Sequence, residues 1–430
     1  MKKEKTETNV VSRRHTLGLM AMAAGTAAIA STLPGLAAPA VRKKVELAYW
    51  TWADNPNHQQ RIMEAVKQFN QSSEFVTVTA DASSVTMEAR QKVIVAYAAG
   101  VAPDISGTVQ THVQDWYNQG ILHPVDEFFT QWDEQNDYFD SVKAGMRVKP
   151  DQPLLFLPLS VLPYVLYYRA DLFDKAGLAP PDTYDEFIEA ARVLTDAPNV
   201  YGYALRGLDY YAVQPIEPIH RSAGVKFVDE NGNVDFDSPE AVAVTQKWVD
   251  MFIKDKSAQP TAINDRYPQL FALMEEGLAA QWIYGTHASP QMDAALGDRI
   301  QATRIPRAGD KPYTLANLEG NFITTSCSEK EAAFEFLVHM AQPEASMSLG
   351  PNRGQMPVRR SLQQLPAVQE NRFFKVVADE AENWWNPPFE SEHWANYQDK
   401  IAPYWQEALR EAISVQEFHD TAAGFLRGEV

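Results

Sequence analysis

A few short stretches of this chain place aromatic rings beside planar polar groups. Tyr49-Trp50-Thr51-Trp52-Ala53-Asp54-Asn55 runs out of an alternating apolar segment. Arg206-Gly207-Leu208-Asp209-Tyr210-Tyr211 follows a short apolar run from Tyr203 to Leu205. Gln281-Trp282-Ile283-Tyr284-Gly285-Thr286-His287 ends another, and Trp384, Trp385 and Trp394 come late in the chain. A ring offers a flat apolar face, while an amide, carboxylate or guanidinium offers directed hydrogen bonds. Together they suit gripping a guest without breaking its bonds. The sequence carries no G-x-S-x-G, no H-E-x-x-H and no Gly-Lys phosphate loop. Its carboxylates stand in no recognisable acid–base pair, and Glu275-Glu276 reads as a solvated helix end. No cofactor or metal is expected.

Each stretch also has a plainer reading. Strand alternation puts Trp50 and Trp52 on one face and Tyr49 on the other. Trp50 is expected to pack under the first helix, whereas Trp52, followed by polar residues, is expected in a cleft. Arg206 and Tyr211 make a stacking wall with a forked donor, or Arg206 forms an ion pair with Asp209. His112 is read as a hydrogen-bonding residue, because no second ligand stands at metal spacing.

The elements that would position these residues follow from periodicity. Val45, Leu47 and Tyr49 alternate in a first strand, and His58 to Asn70 is a helix with Ile62, Ala65, Val66 and Phe69 on one face. Residues 75–81 form a second strand, 85–99 a second helix ended by Gly100, and Pro103-Asp104-Ile105 opens a third strand. That order predicts βαβ units. Residues 154–173 are apolar but hold Pro158 and Pro163, which a central strand rejects. They are read as a strand that leaves one sheet, crosses a linker and enters another. Asp185 to Leu194 is a helix capped by Thr183 with Glu186 at N3, Asn231-Gly232 is a turn, and Ser238-Pro239 opens a helix to about Lys254. The last third reads as mainly helical.

Composition bounds the class. The chain has 430 residues, 45% of them apolar and 11% aromatic, enough for a sizeable core in two domains or one large one. Thr16 to Val41 carries no charge and is long enough to span a bilayer. It is rich in Ala, Gly, Ser and Thr, which make a poor anchor. With Ser12-Arg13-Arg14 before it and Ala38-Pro39-Ala40 closing it, residues 1–40 read as a twin-arginine export signal cleaved after Ala40. Those residues hold five Lys/Arg and two Asp/Glu, so the remainder carries 33 basic and 54 acidic residues, a net of −21. Such a charge excludes nucleic acid and anionic membrane surfaces as natural partners. The single cysteine, Cys327, forms no internal disulfide.

Six stretches in order then carry a resemblance: VIVAYAAGVAPDI, YNQGILHPVDEF, YYRADLFDKAGLAPPDTYDEFIEAARVL, NGNVDFDSPEAVAVTQKWVDMF, LFALMEEGLAAQWIYGTH and SEKEAAFEFLVHMAQPEASM. Residues 45–430 resemble the family 1 extracellular solute-binding proteins of ABC importers, the group that includes maltose-binding protein. The resemblance implies an α/β, type II periplasmic binding protein fold of two lobes. Each lobe is a mostly parallel sheet flanked by helices, and a hinge joins them. One lobe would comprise 41–157 plus 306–348, the other 158–305 plus 349–430. Crossings fall near Pro158, Pro306 and Pro351, where proline either restricts the hinge or merely punctuates loops. The implied protein is a periplasmic monomer that binds a sugar or oligosaccharide and delivers it to membrane permease subunits. The alternative is the same fold holding a polyol phosphate, polyamine or other small polar solute.

The family's contact positions map onto Asp54 and Asn55, onto the loop Gln110-Thr111, and onto His287, where relatives carry an aromatic ring. Trp282 or Tyr284 is expected to supply the ring instead. Glu319, Asn321 and Arg353 lie at implied crossings, with Gly320 letting backbone approach the ligand. Trp394 closes one end of the cleft or packs in the core. The ligand set is thus Trp52, Asp54, Asn55, Gln110, Thr111, Arg206, Tyr210, Tyr211, Trp282, Tyr284, His287, Glu319, Asn321, Arg353 and Trp394. A binding titration of Trp52→Ala is expected to show affinity weakened by about 1–3 kcal/mol in an intact fold.

Overall fold

The computed structural model describes residues 43–430 apart from 54, 85, 150, 230, 386–390 and 392. The export signal expected over 1–40 therefore lies outside the described residues.

Strands β1 (Val45–Trp52), β2 (Val76–Ser84) and β3 (Ile105–Val109) pair in parallel. Between them run helices α1 (Pro56–Ser72) and α2 (Thr86–Ala98), and α3 (Gln110–Asn118) follows β3. These are the βαβ units that the alternating patterns demand. Beyond β3 the direction reverses. β4 (Leu157–Arg169), β5 (Gln281–Gly285), β6 (Ile300–Thr303) and β7 (Thr314–Ile323) pair antiparallel, and the path is β2-β1-β3-β7-β4-β5. Short β8 (Met356–Pro357) joins β4, and β9 (Trp384–Trp385) joins β7. Among the described residues, further parallel pairing comes from the short β7–β9 contact and the isolated bridges Thr183–Arg307, Tyr201–Ala279 and Tyr203–Ala258.

β4 corrects the expected linker. It is one continuous strand shared by two sheets. Leu157 to Pro163 pairs with β7, and from Tyr164 onward the strand pairs with β5 and β6. Both prolines sit at irregular or terminal points of the ladder. Pro158 adjoins a register shift before Ser160, and Pro163 is the last residue paired with β7. The hand-over between sheets thus falls at 163/164, later in the chain than the expected 157/158.

Two aromatic-rich cores result. Leu47, Tyr49, Ile62, Phe69, Ile105, Trp116 and Phe336 pack around the first sheet. Tyr184, Phe187, Tyr203, Trp248, Phe236 and Trp405 pack behind the second. Local signals act as their chemistry dictates. Thr183 and Glu186 form a reciprocal capping box, Ser238 accepts from Ala241 N, and Gly100 turns with φ +72°. Cys327 is buried, and burial pushes its thiol up to about 12.

The second core holds a neutral polar chain. The Nε2 atoms of His220 and His419 each lie 2.8 Å from Thr245 Oγ1, and His419 Nδ1 lies 2.6 Å from the Phe236 carbonyl. Every bond is satisfied if His220 donates to Thr245, Thr245 donates to His419, and His419 donates to Phe236. A proton added to His419 would meet the hydroxyl's hydrogen. Burial pushes His419 down to about 4. An unfolded histidine ionises near 6.5, so the stability it contributes is complete above that value and is lost as pH falls toward 4. The stability advantage of wild type over His419→Gln, measured by thermal unfolding, is therefore expected to shrink by about 2 kcal/mol between about pH 7.5 and pH 5.

Candidate functional site

The end of β1, the first half of β4, the middle of β7 and the residues Gly350 and Arg353 meet around a small hollow of mixed character. Tyr49, Thr51, Trp52, Ser160, Glu319, Asn321 and Arg353 line it, with His58 from α1 and apolar Ile62, Leu159, Met340 and Leu349, and its volume is ≈ 40 Å³. Arg353 Nη1 lies 3.1 Å from Glu319 and 3.0 Å from Gln355 Oε1. Tyr49 donates to Asn321 Oδ1 at 2.8 Å, while Asn321 Nδ2 is buried without an acceptor. An unspent donor in such a hollow is a place for a water or a ligand hydroxyl.

Trp52 reaches this hollow by a departure from strict alternation. The register of β1 against β2 shifts between Trp50 and Trp52. Trp52 therefore lines the hollow with Tyr49 and Thr51 instead of sharing a face with Trp50. Gly107 makes the room, since a Cβ there would fall 2.4 Å from Thr51 Oγ1 and 2.9 Å from the Trp52 ring. Trp50 is half-buried, and the Lys92 ammonium of α2 sits 4.2 Å from its ring centre. Trp52 is only 6% exposed. Its truncation to alanine would thus carry a packing cost of about 3–5 kcal/mol, contrary to the intact fold expected from sequence.

The second wall is aromatic. Trp282 and Tyr284 stack at 4.4 Å and 8°, and Tyr267 stacks on Tyr284 at 5.2 Å. His287 lies 4.8 Å from Tyr284 and 6.1 Å from Tyr267. Trp282 is the buried end of this column, and Tyr267 and His287 are its half-buried end. Tyr164 from β4 closes in at 5.7 Å from Tyr284. Burial drives the Tyr284 hydroxyl well above its ordinary pKa, so it stays a neutral donor. The two walls touch, because Gly354 presses on the end of β5. A Cβ there would lie 2.2 Å from the Thr286 carbonyl oxygen and 2.7 Å from His287 Cα.

Arg206 makes the ion pair with Asp209, at 2.6 Å, and still covers the Tyr211 ring at 5.1 Å. The ion pair and the ring contact therefore coexist. Asp209 adopts φ +64°, and its Oδ1 accepts from Tyr211 N at 3.1 Å, which fixes the turn. Tyr211 is 46% exposed, the one ring among the large exposed hydrophobic side chains described. A large ring left in water beside a guanidinium suits a stacking platform. Tyr210 points inward, is 6% exposed and lies 6.3 Å from Trp394. Trp394 is 4% exposed against Tyr210, Phe227 and Tyr397, in the core position of its two readings.

Other candidates lie elsewhere or serve the backbone. Asp54 is outside the described residues. Asn55 caps α1, accepting from His58 N at 3.0 Å. Gln110 donates to the Gly145 carbonyl at 2.9 Å and accepts from Leu318 N at 3.3 Å, which occupies both ends of its amide. Thr111 is half-buried on the first turn of α3. Gln110 borders a separate cleft of ≈ 930 Å³, with Ser141, Arg221, Trp384 and Trp385 among its walls. Gly320 accommodates the neighbouring strand, since a Cβ would lie 2.2 Å from Leu157 O. Tyr49, Ser160, Tyr164 and Tyr267 were missed from sequence. The first three lie inside strands, where alternation marks them only as buried, and Tyr267 reads as the apolar start of a helix.

Residues 55–347 match the family model of the bacterial extracellular solute-binding proteins. A putative binding protein of Brucella abortus is 24% identical over 284 residues, 63% of this chain and 66% of that relative's length. The match thus spans just under two thirds of such relatives. An arabinooligosaccharide-binding protein of Halalkalibacterium halodurans is 23% identical over 346 residues, 76% of this chain and 75% of that protein. The solved structure of the sugar-binding protein MalE from Xanthomonas citri superposes with a TM-score of 0.78 at 17% identity, over 89% of this chain and 98% of its own. The two-lobe α/β fold is therefore that of the maltose-binding-protein-like group. With the family model covering well over half of its length, the chain belongs to the bacterial extracellular solute-binding protein family.

Proposed function

We propose that this protein is the substrate-binding component of an ABC importer, holding a neutral polyhydroxylated solute between its lobes. The solute is a sugar, an oligosaccharide or a related polyol, and it passes to membrane permease subunits. The twin-arginine reading of residues 1–40 assigns the work to the periplasm, as a monomer. Binding closes the lobes only in so far as the ligand favours the closed state.

The observation that carries this reading is the aromatic wall, whose two arginines each already hold a carboxylate. Tyr211 offers an exposed face, and Tyr267, Tyr284 and His287 continue it. Arg206 is matched by Asp209 and Arg353 by Glu319. A phosphate would have to compete with a carboxylate already seated on each guanidinium. A sugar hydroxyl asks for no charge, and its ring needs only the apolar faces. Within the family, the arabinooligosaccharide-binding relative supports an uncharged saccharide.

A thermal-shift series over arabino-oligosaccharides, maltose, mannitol, sugar phosphates and polyamines tests the reading. A true ligand at 100 times its Kd adds about 2.7 kcal/mol to stability. Stabilisation by a sugar phosphate or polyamine alone overturns it, as does release of cleavage products from an oligosaccharide. In calorimetric titration with the ligand so found, Tyr211→Ala is expected to lose about 1–3 kcal/mol of affinity. Its unliganded melting temperature should stay near that of wild type, because the ring is 46% exposed.

A further inference from the structure

Behind the Tyr210–Tyr211 turn lies a carboxylic acid with no cation beside it. Glu217 opens the helix Glu217–Ser222 and is 0% exposed. The Tyr210 hydroxyl lies 3.3 Å from both of its oxygens, and the Tyr397 hydroxyl lies 3.4 Å from Oε1. The turn contributes Tyr210, the helix Trp394–Leu409 contributes Tyr397, and β4 contributes Tyr164, whose hydroxyl donates to Gln214 Oε1 at 2.5 Å. Arg206 stands near but is engaged by Asp209, and His220, one turn along the same helix, is bonded to Thr245. Among the described residues no Lys, Arg or His forms an ion pair with Glu217.

A protonated acid fits this setting. Both hydroxyls donate to its oxygens over long distances, and full burial with no cation in contact favours the neutral form. An ionised carboxylate in the same place would be a buried charge held by long bonds. Burial pushes Glu217 up to about 8. Its unfolded value is 4.5, so the stabilisation it contributes is complete below 4.5 and is lost as pH rises toward 8.

We propose that Glu217, in its protonated form, is a positioning residue for the ligand wall: through Tyr210 it holds the turn that presents Tyr211. The other end of that turn is fixed by Arg206 and by Asp209 at φ +64°. Ionisation of Glu217 puts an unpaired charge in that buried pocket, and its cost is relieved when the inner end of the turn opens to water. The platform then loosens, and affinity falls in alkaline solution although Glu217 never touches the ligand. The inference rests on the solute-binding reading for its ligand, but not for its structural coupling.

Amide hydrogen exchange on the full chain, corrected for its intrinsic pH dependence, tests the coupling without any ligand. Over residues 205–213, wild type is expected to lose about tenfold in protection between about pH 6.5 and pH 9.5. Glu217→Gln, a neutral mimic of the acid, is expected to keep its protection at both values. Equal protection of wild type at both values overturns the proposal, and so does the same loss in Glu217→Gln. The second arm titrates arabinotriose and maltose. Wild-type affinity is expected to fall by up to about tenfold per pH unit above about pH 8, while Glu217→Gln stays flat. A flat wild-type profile with clear binding overturns the proposal. Absence of binding at every pH counts against the solute-binding reading instead, and the exchange result alone then decides for or against the role of Glu217.

Discussion

A β-strand has two edges and a length, and β4 uses both to be part of two sheets. Its first half is bonded to β7 and its second to β5 and β6. That strand is a continuous backbone connection between the two sheets. The hollow forms beside its first half, at Ser160, and the aromatic wall beside its second, at Tyr164. A flexible tether would let the two half-sites wander. A strand restricts them to bending and twisting about one line, so one motion can bring ring faces toward hydroxyl-binding groups. The prolines belong to the same constraint, sitting where the ladder changes hands.

Charge placement follows a second economy. The chain has a formal net charge of −18, yet its binding region is not a bare acidic surface. Arg206–Asp209 and Arg353–Glu319 are close pairs, the first with a buried and the second with a half-buried arginine. Buried pairs contribute little net stability but fix geometry, since moving either partner leaves a charge without its complement. Here they orient side chains around the site while keeping its net electrostatic demand low. That combination favours selection by shape and hydrogen bonding over selection by charge.

Local chemistry was legible in the sequence wherever it depended on neighbouring residues. Thr183 with Glu186, Ser238 before Pro239, and the apolar stripe of α1 each formed as their spacing required. Features set by distant partners were not legible. The alternation rule misplaced Trp52, because the β1–β2 register shift depends on how two strands meet. Pro158 and Pro163 did mark a strand that changes sheets, and only the expected linker is absent, because the strand passes from β7 to β5 and β6 without a break. Asn55 is a cap, and Gln110 ties α3 to Gly145 and β7, so both show how a polar residue at a strand end can serve the backbone. Of the aromatic candidates, Tyr284 and Tyr211 were readable from their stretches, whereas Tyr267 joins the wall only through tertiary packing.

Cys327 has a practical corollary. It is 1% exposed, and its thiol is held near 12, so at neutral pH almost none of it is thiolate. The native chain is thus silent toward maleimides and other thiol reagents. A cysteine introduced at each rim of the cleft would take a dye alone, without first removing a wild-type residue. Energy transfer between such dyes would test for the proposed closure one molecule at a time.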